Sequence, residues 1–199
     1  LRAQIGYKRR YIKGGKTGSI AANHLDRNFN PTVPNKFWVS DITYVRTYEG
    51  FLYVATVLDL FSRRIVGWSM DKTMDRHLVI KALLMAVWKR QPKESVLVHS
   101  DQGSQYGSAD YLAFMRDNNL EPSMSRRGNC HDNAVAESFF ATFKKRVTQR
   151  KIYTTREEAK GAIFNFIEMF YNPIKRHSHT GGVSPVKFEQ DYFSRLESV

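Results

Sequence analysis

Residues 37–45 read FWVSDITYV, and the acid in the middle of that run organises everything around it. Phe37, Trp38, Val39, Ile42, Thr43, Tyr44 and Val45 are aromatic or β-branched, the composition of a strand. Asp41 interrupts them. A carboxylate within a buried strand is costly unless it is paired or binds a cation. Two more acids sit in comparable frames. Asp101 closes the short apolar run VLVHS at 96–100, and Glu137 lies in the helix-like stretch DNAVAESFF at 132–140. One such acid reads as an ion-pair partner. Three, each flanked by polar residues beside hydrophobic elements, point to a shared cation.

Outward from Asp41 the pattern is that of an α/β domain. Residues 51–58 (FLYVATVL) and 64–70 (RIVGWSM) are further strand candidates, and their short connections suggest an antiparallel meander. A helix follows from about Asp75 to Arg90. Leu78, Val79, Ala82, Leu83, Ala86 and Val87 repeat at helical spacing, and Pro92 lies just beyond. Val96–Ser100 is a fourth strand. Ser108 caps a helix to about Asn119, and Glu121–Met124 is a fifth, short strand. The expected architecture is a mixed five-stranded sheet flanked by helices. Residues 125–131 (SRRGNCH) read as a mobile basic loop that carries Arg126 and Arg127. Asp132 then caps a helix from Asn133 to about Arg150. Thr154 and Glu157 have capping-box spacing for a last helix that Asn172-Pro173 stops.

The chain divides into a basic N-terminal arm or linker (1–35), a core (36–172) and a tail (173–199). In the arm Lys8, Arg9 and Arg10 stand among further basic residues, Asp26 is the sole acid, and Pro31 and Pro34 mark its end. Such an arm is either a solvated linker or a strap along a phosphate backbone. The whole chain of 199 residues has 31 Lys+Arg against 19 Asp+Glu, a formal net charge of +12, which favours a polyanionic partner, most simply nucleic acid. The 42% hydrophobic content supports a core, and no apolar run approaches membrane-spanning length. The single Cys130 excludes an internal disulfide framework and fits a reducing cytoplasm. A start at Leu1 leaves open a fragment of a longer protein.

Oxygen-only carboxylate sites suit Mg²⁺ or Mn²⁺ over zinc. Two such ions about 3.5–4 Å apart activate an attacking oxygen and stabilise a leaving one. On the Glu137 helix, Asn133, Ala141 and Lys144 share one face with the acid, while Phe139, Phe140, Phe143 and Val147 form the packed side. Lys144 could hold a phosphate there; its bland reading is a solvated lysine, and that of Asn133 is a cap. Asp59 reads as one half of a structural ion pair, with Arg63 as a plausible partner. His99 reads as a satisfied, partly buried histidine. Cys130, His131, His177 and His179 lack the paired spacing of a zinc site.

Particular words surround the acids: W-x-x-D-I-T-Y at 38–44, V-L-D-x-x-S-R-x-I-V-G-W at 57–68, H-S-D-x-G-S-Q-Y at 99–106, R-G-x-x-x-D-N-A-x-x-E-S at 127–138 and Y-N-x-x-x-R-H at 171–177. With the Asp-x59-Asp-x35-Glu spacing, this set resembles the catalytic, second-frame half of the retroviral-integrase-like (DDE) transposases of bacterial insertion sequences, the insertion sequence three family. The resemblance implies a ribonuclease-H-like fold and strand cleavage and transfer by Asp41, Asp101 and Glu137 with two Mg²⁺ or Mn²⁺ ions. It implies transposon-end and target DNA as partners, a homo-oligomer on DNA, an upstream-frame DNA-reading segment and a bacterial cytoplasmic location. Lys144, Asn133, Arg126, Arg127, Lys8, Arg9, Arg10 and Arg176 are the candidate DNA contacts. Tyr171, Asn172, Arg176 and His177 carry over as a structural or DNA-facing motif, and Thr180 stands where the family more often has an apolar residue. A purely hydrolytic nuclease and a non-catalytic DNA-binding fragment remain the alternatives.

Overall fold

A computed structural model describes residues 20–126, 134–149 and 151–198. Three strands open the fold: β1 (Phe37–Thr47), β2 (Gly50–Asp59) and β3 (Ile65–Asp71). Helix α1 (Arg76–Arg90), strand β4 (Val96–Ser100), helix α2 (Ala109–Asp117) and strand β5 (Leu120–Met124) follow. The sheet order is β3-β2-β1-β4-β5. The pairs β1·β2 and β2·β3 are antiparallel, while β1·β4 and β4·β5 are parallel. The expected mixed five-stranded sheet flanked by helices is therefore present.

Strand alternation assigns the two faces. Val39 and Val45 join a core under α3 (Ala134–Phe143) and α4 (Arg156–Phe164), whereas Trp38 joins a second core under α1 and α2. Helix α3 contributes Ala136, Phe139, Phe140 and Phe143, and its edge-to-face contact with Tyr171 brings Phe139 to 4.8 Å. Each buried Phe contributes about 1.5–3 kcal/mol relative to exposure. On the opposite face, α1 is capped by Asp75, whose carboxylate accepts from the His77 and Leu78 amides at 2.9 and 3.3 Å. It stops at Gln91, which adopts a left-handed conformation ahead of Pro92.

Several local expectations change. Both late helices end in π-helical turns, at Lys144–Thr148 and Asn165–Tyr171, where regular α-helix was expected. The capping box is shifted by one residue. The Thr155 side chain accepts from the Glu158 amide at 3.1 Å, and Glu158 accepts from the Thr154 amide at 2.9 Å. The tail forms a 3₁₀ turn (Ser178–Thr180) and helix α5 (Pro185–Glu197), with Ser184 as cap and Pro185 in the first turn. Part of the arm lies along β5. The His24 and Leu25 amides donate to Ser123 Oγ at 2.9 and 3.2 Å, and Leu25 is buried.

Asp59 does not pair with Arg63. Its fully buried carboxylate accepts from Arg90 at 2.8 Å and from the Asn35 and Phe61 amides, each at 2.9 Å. Arg90 also donates to Glu189 of α5 at 2.9 Å, and Arg64 and Ser62 each donate to Glu189 at 2.7 Å. Burial raises the pKa of Asp59 despite Arg90. Burial also acts to raise Glu189, but its bonds and charge contact with Arg90, with Ser62 and Arg64, hold it below the ordinary value. Arg63 instead donates to the Leu60 carbonyl at 2.9 Å and meets His179 Nδ1 at 3.2 Å.

Gly67 sets the distance between β3 and α1. A Cβ there would lie 2.1 Å from the Ala82 carbonyl oxygen and 2.8 Å from the Ala86 nitrogen, both rigid helix backbone. Gly67→Ala is expected to lower unfolding free energy by about 1–3 kcal/mol, read as a lower urea midpoint at unchanged slope. An unchanged midpoint would show that α1 can move away at no cost.

Candidate active site

The site is built on an unequal pairing of β1. It pairs with β2 from Trp38 to Thr47, but with β4 only from Phe37 to Val39. Val39 faces His99 in that parallel ladder, and Asp41 and Asp101 are each two residues further along. Two residues is one strand period, so Asp41 belongs to the sheet face of Val39, the face that α3 covers. Paired neighbouring strands lie about 4.8 Å apart, and each aspartate follows the last β1·β4 pair by the same two residues.

Backbone amides orient both acids. Asp41 Oδ1 accepts from the Ile42 amide at 2.7 Å, and Asp101 Oδ1 accepts from the Gly103 amide at 2.9 Å. Gly103 leaves room for this turn, since a Cβ there would fall 2.9 Å from Asp101 Oδ1. Below them lies Tyr106, fully buried, its hydroxyl 3.2 Å from Ser40 Oγ. Burial raises its pKa well above the ordinary tyrosine value, with the Asp41 charge, Tyr111 and the Asp101 charge adding to the shift and the Ser40 bond opposing it. One phenol thus senses both aspartates. Tyr106 stands inside the 99–106 word, but no local pattern in the sequence singled it out for this position.

Glu137 is exposed on α3. Ala141 and Lys144 are exposed with it, while Phe139, Phe140, Phe143 and Val147 are buried on the other side. Among the described residues no three His, Cys, Asp or Glu side chains come close enough to hold one metal ion. Asp41 and Asp101 follow the last β1·β4 pair and Glu137 lies on α3, but the three do not form one ligand group. Three like charges repel one another. The residues that lead into α3, 127–133, lie outside the described ones, and Arg127 and Asn133 fall there, as Lys8, Arg9 and Arg10 do at the N-terminus.

The other candidates separate by burial. His99 is fully buried, not partly, and its ring nitrogens meet Ser123 Oγ at 2.9 Å and Ser125 Oγ at 3.0 Å. It ties β4 to β5 and to the start of the following loop. Arg126 is exposed and bonds Asp26 at 2.6 Å. In the 171–177 word, Tyr171 and Asn172 are buried, and Arg176 is exposed. Asn172 brackets Ile65, accepting from its amide at 2.9 Å and donating to its carbonyl at 3.0 Å. His177 packs edge-on against Tyr171, ring centres 5.0 Å apart. Burial first, then the charges of Lys175 and Arg63, lowers its pKa to about 4, so it is neutral near pH 7. The Thr180 hydroxyl donates to Val183 and His177 carbonyls at 2.6 and 3.0 Å, which satisfies a polar atom where an apolar residue was expected.

Two family models, each described as integrase core domain, match residues 31–130 and 137–193. The chain belongs to the integrase core domain family. Within that class it is similar to the transposase InsF for insertion sequence IS3A of Escherichia coli strain K12, at 46% identity over 170 residues, 85% of this chain and 59% of that protein. It is also similar to an uncharacterised 31 kDa protein of the insertion element IS600 from Shigella sonnei, at 43% identity over 173 residues, 87% of this chain and 64% of that protein. The chain thus spans less than two thirds of the length of these relatives. Among solved structures, the simian T-cell lymphotropic virus intasome in complex with PP2A regulatory subunit B56 gamma superposes with a TM-score of 0.66 at 14% identity, covering 88% of this chain and 60% of that one. The HTLV-2 integrase catalytic core domain in complex with magnesium gives 0.59 at 15% identity, covering 78% and 97%. These superpositions, at identities too low to carry more than the fold, show the ribonuclease-H-like fold.

Asn172 separates the structural and DNA-facing readings of its motif. Asn172→Ala is expected to leave the Ile65 amide and carbonyl without partners and to destabilise by about 1–3 kcal/mol for each buried group. Arg176→Ala is expected to leave stability within about 0.5 kcal/mol. Urea denaturation of both variants checks this, and equal midpoints would contradict it.

Proposed function

We propose that this chain is the catalytic core of an insertion-sequence transposase, which cleaves and joins DNA strands at element ends with divalent metal ions. The observation that supports the reading is the parallel β1·β4 ladder, which ends at Val39 and His99, two residues before Asp41 and Asp101, on the sheet face whose core includes α3. Similarity to a protein named as a transposase supports the substrate class. The magnesium-bound HTLV-2 core supports the choice of ion.

The donor set suits that ion. All three acids offer oxygen only, the preference of Mg²⁺ and Mn²⁺, and the Ile42 and Gly103 amides already fix one oxygen of each aspartate. Bound metal would supply Lewis acidity and a deprotonated attacking oxygen, so the active chain takes two ions held by Asp41, Asp101 and Glu137. Asp41 and Asp101 then form the fixed part of the cradle, and Glu137 closes it from α3. Lys144 is exposed on the Glu137 side of the same helix and serves as a point-charge contact for a phosphate of the transposon end. Arg126 and Arg176 are exposed cations that extend the backbone contact, and Lys8, Arg9, Arg10, Arg127 and Asn133 remain part of this reading. Residues 1–35 then act as the arm, 36–172 as the core and 173–199 as a tail. The partners are transposon-end and target DNA, a second copy of the chain on that DNA and an upstream DNA-reading segment. The reaction takes place in the bacterial cytoplasm. Among the described residues no helix is long and apolar enough to cross a membrane.

The test is a labelled duplex ending in a terminal inverted repeat, incubated with Mg²⁺ or Mn²⁺. Joined products support transposition, nicks alone identify a hydrolytic nuclease, and a mobility shift without reaction identifies a binding module. Glu137→Gln keeps the shape and removes the charge. It is expected to lower strand transfer by about a thousandfold, as loss of several kcal/mol of metal-borne stabilisation at 1.36 kcal/mol per decade implies. DNA affinity should change little. Strand transfer by Glu137→Gln at the wild-type rate in Mg²⁺ would refute the assignment.

A further inference from the structure

Beyond Val39 and His99 the two strands that lead to the aspartates are held on their outer sides. β1 stays paired with β2 as far as Thr47, and β4 with β5 as far as Ser100. Between them the β1·β4 ladder has ended. A side-chain bond crosses there. The Tyr106 hydroxyl lies 3.2 Å from Ser40 Oγ, and both residues are buried.

Each end of this link reaches an aspartate through the backbone. Ser40 is the residue before Asp41. Tyr106 donates its amide to the Gly103 carbonyl at 3.0 Å, and the Gly103 amide donates to Asp101 Oδ1 at 2.9 Å. A Cβ at Gly103 would meet the Tyr106 ring at 3.4 Å, so the ring lies against the turn that follows Asp101. Tyr111 of α2 meets the same ring edge-to-face at 5.4 Å.

Packing alone does not call for this pair of hydroxyls. Tyr106 shares its core with Trp38, Val98, Tyr111 and Met115, where a phenylalanine ring would fill the same space. A buried hydroxyl is costly unless it is bonded, and here each satisfies the other. Strand alternation places Ser40 on the face of Trp38, opposite that of Val39 and Asp41. The link therefore forms behind the sheet face that carries the Asp41 side chain. It acts on the acids through the backbone and leaves their oxygens to a cation.

The spacing of two carboxylates decides which cation they suit. Mg²⁺ demands near-octahedral geometry at about 2.0–2.1 Å, whereas Ca²⁺ accepts a looser shell at about 2.3–2.6 Å. We propose that Tyr106 is a positioning residue whose hydroxyl bond to Ser40 fixes the separation of Asp41 and Asp101 where β1 parts from β4, and so makes the site selective for Mg²⁺ over Ca²⁺. The proposal rests on the metal-dependent strand-transfer reading above and adds to it the device that sets the choice of ion.

The probe is Mn²⁺, whose binding is read by electron paramagnetic resonance without turnover. The full chain in complex with uncleavable transposon-end DNA is titrated with Mn²⁺, and Mg²⁺ and Ca²⁺ are then added as competitors. Loss of binding in Asp41→Asn identifies the signal that belongs to the site. Tyr106→Phe and Ser40→Ala should each lower Mg²⁺ affinity by about tenfold, the lower end of the range for groups that support metal ligands, and leave Ca²⁺ affinity nearly unchanged. The double variant should be no worse than either single one, because both remove the same bond. With cleavable ends, the half-saturating Mg²⁺ concentration for strand transfer should rise by the same factor, with the rate recovered at excess Mg²⁺. Ser69→Ala removes another buried hydroxyl bond, to the Leu78 carbonyl of α1. It should lower the urea midpoint without moving the Mg²⁺/Ca²⁺ ratio.

A wild-type Mg²⁺/Ca²⁺ ratio in Tyr106→Phe and Ser40→Ala would overturn the positioning role, as would an equal shift in Ser69→Ala. If the wild-type chain joins ends while these variants keep its ratio, the positioning role fails and the transposase reading stands. If the ratio shifts but no ends are ever joined, the positioning role stands and the catalytic reading fails. If Asp41→Asn binds Mn²⁺ as the wild type does, the metal assignment fails and the positioning role fails with it.

Discussion

One strand serves two partners of opposite direction, and the geometry of the molecule follows from that. β1 runs antiparallel to β2 for ten paired residues and parallel to β4 for three. A central strand that loses one neighbour partway along must part from it. Asp41 and Asp101 sit at this parting, where the sheet stops being continuous. A carboxylate deep in a paired strand would lack solvent. At the parting it keeps a backbone amide, neighbouring acid and open space together, which is the setting an oxygen-ligated cation needs.

Two packed layers hold the parting in place. Trp38, Val57 and Val98 face α1 and α2, while Val39, Leu52 and Leu97 face the phenylalanine-rich α3 and the later helices. Arg90 at the end of α1 joins the first layer to the C-terminal helix by donating to both Asp59 and Glu189. Removing one member of such a buried cluster would strand a charge, at a cost of about 3–5 kcal/mol. The Asp59 end of this cluster also fixes Asn35, just before β1 begins. The ion cluster and the parting of β1 from β4 therefore both act on the N-terminal part of the same strand.

Much of this was readable from residues alone. The β-branched and aromatic runs marked the first three strands and the apolar run at 96–98 the fourth, while β5 carries neither kind of residue; the acids in or beside apolar elements marked the candidate site because charge in an apolar frame requires a reason. Long-range partners were not readable. Arg63 is near Asp59 in sequence, but Arg90 reaches it from the end of α1, and Glu189 lies 99 residues from Arg90. The Thr154-Thr155 and Glu157-Glu158 doublets offer two capping boxes of identical spacing, so only the backbone could choose between them. The π-helical turns at Lys144–Thr148 and Asn165–Tyr171 carry no local sequence signature. Helix α5 has one, Ser184 followed by Pro185, within the stretch that reads as a tail. The bond between Ser40 and Tyr106 was illegible for the same reason as the ion cluster: its residues are 66 positions apart and meet only when β1 and the turn after β4 are brought together.

The central claim is that Asp41, Asp101 and Glu137 share divalent ions when DNA is bound. Anomalous diffraction from crystals of the chain with transposon-end DNA and Mn²⁺ tests it without reliance on turnover. The expected result is manganese peaks coordinated by carboxylate oxygens of Asp41 and Asp101, with Glu137 brought in from α3 to complete the shell. Manganese bound elsewhere, with Asp41 and Asp101 ligating none of it in the DNA complex, would contradict it.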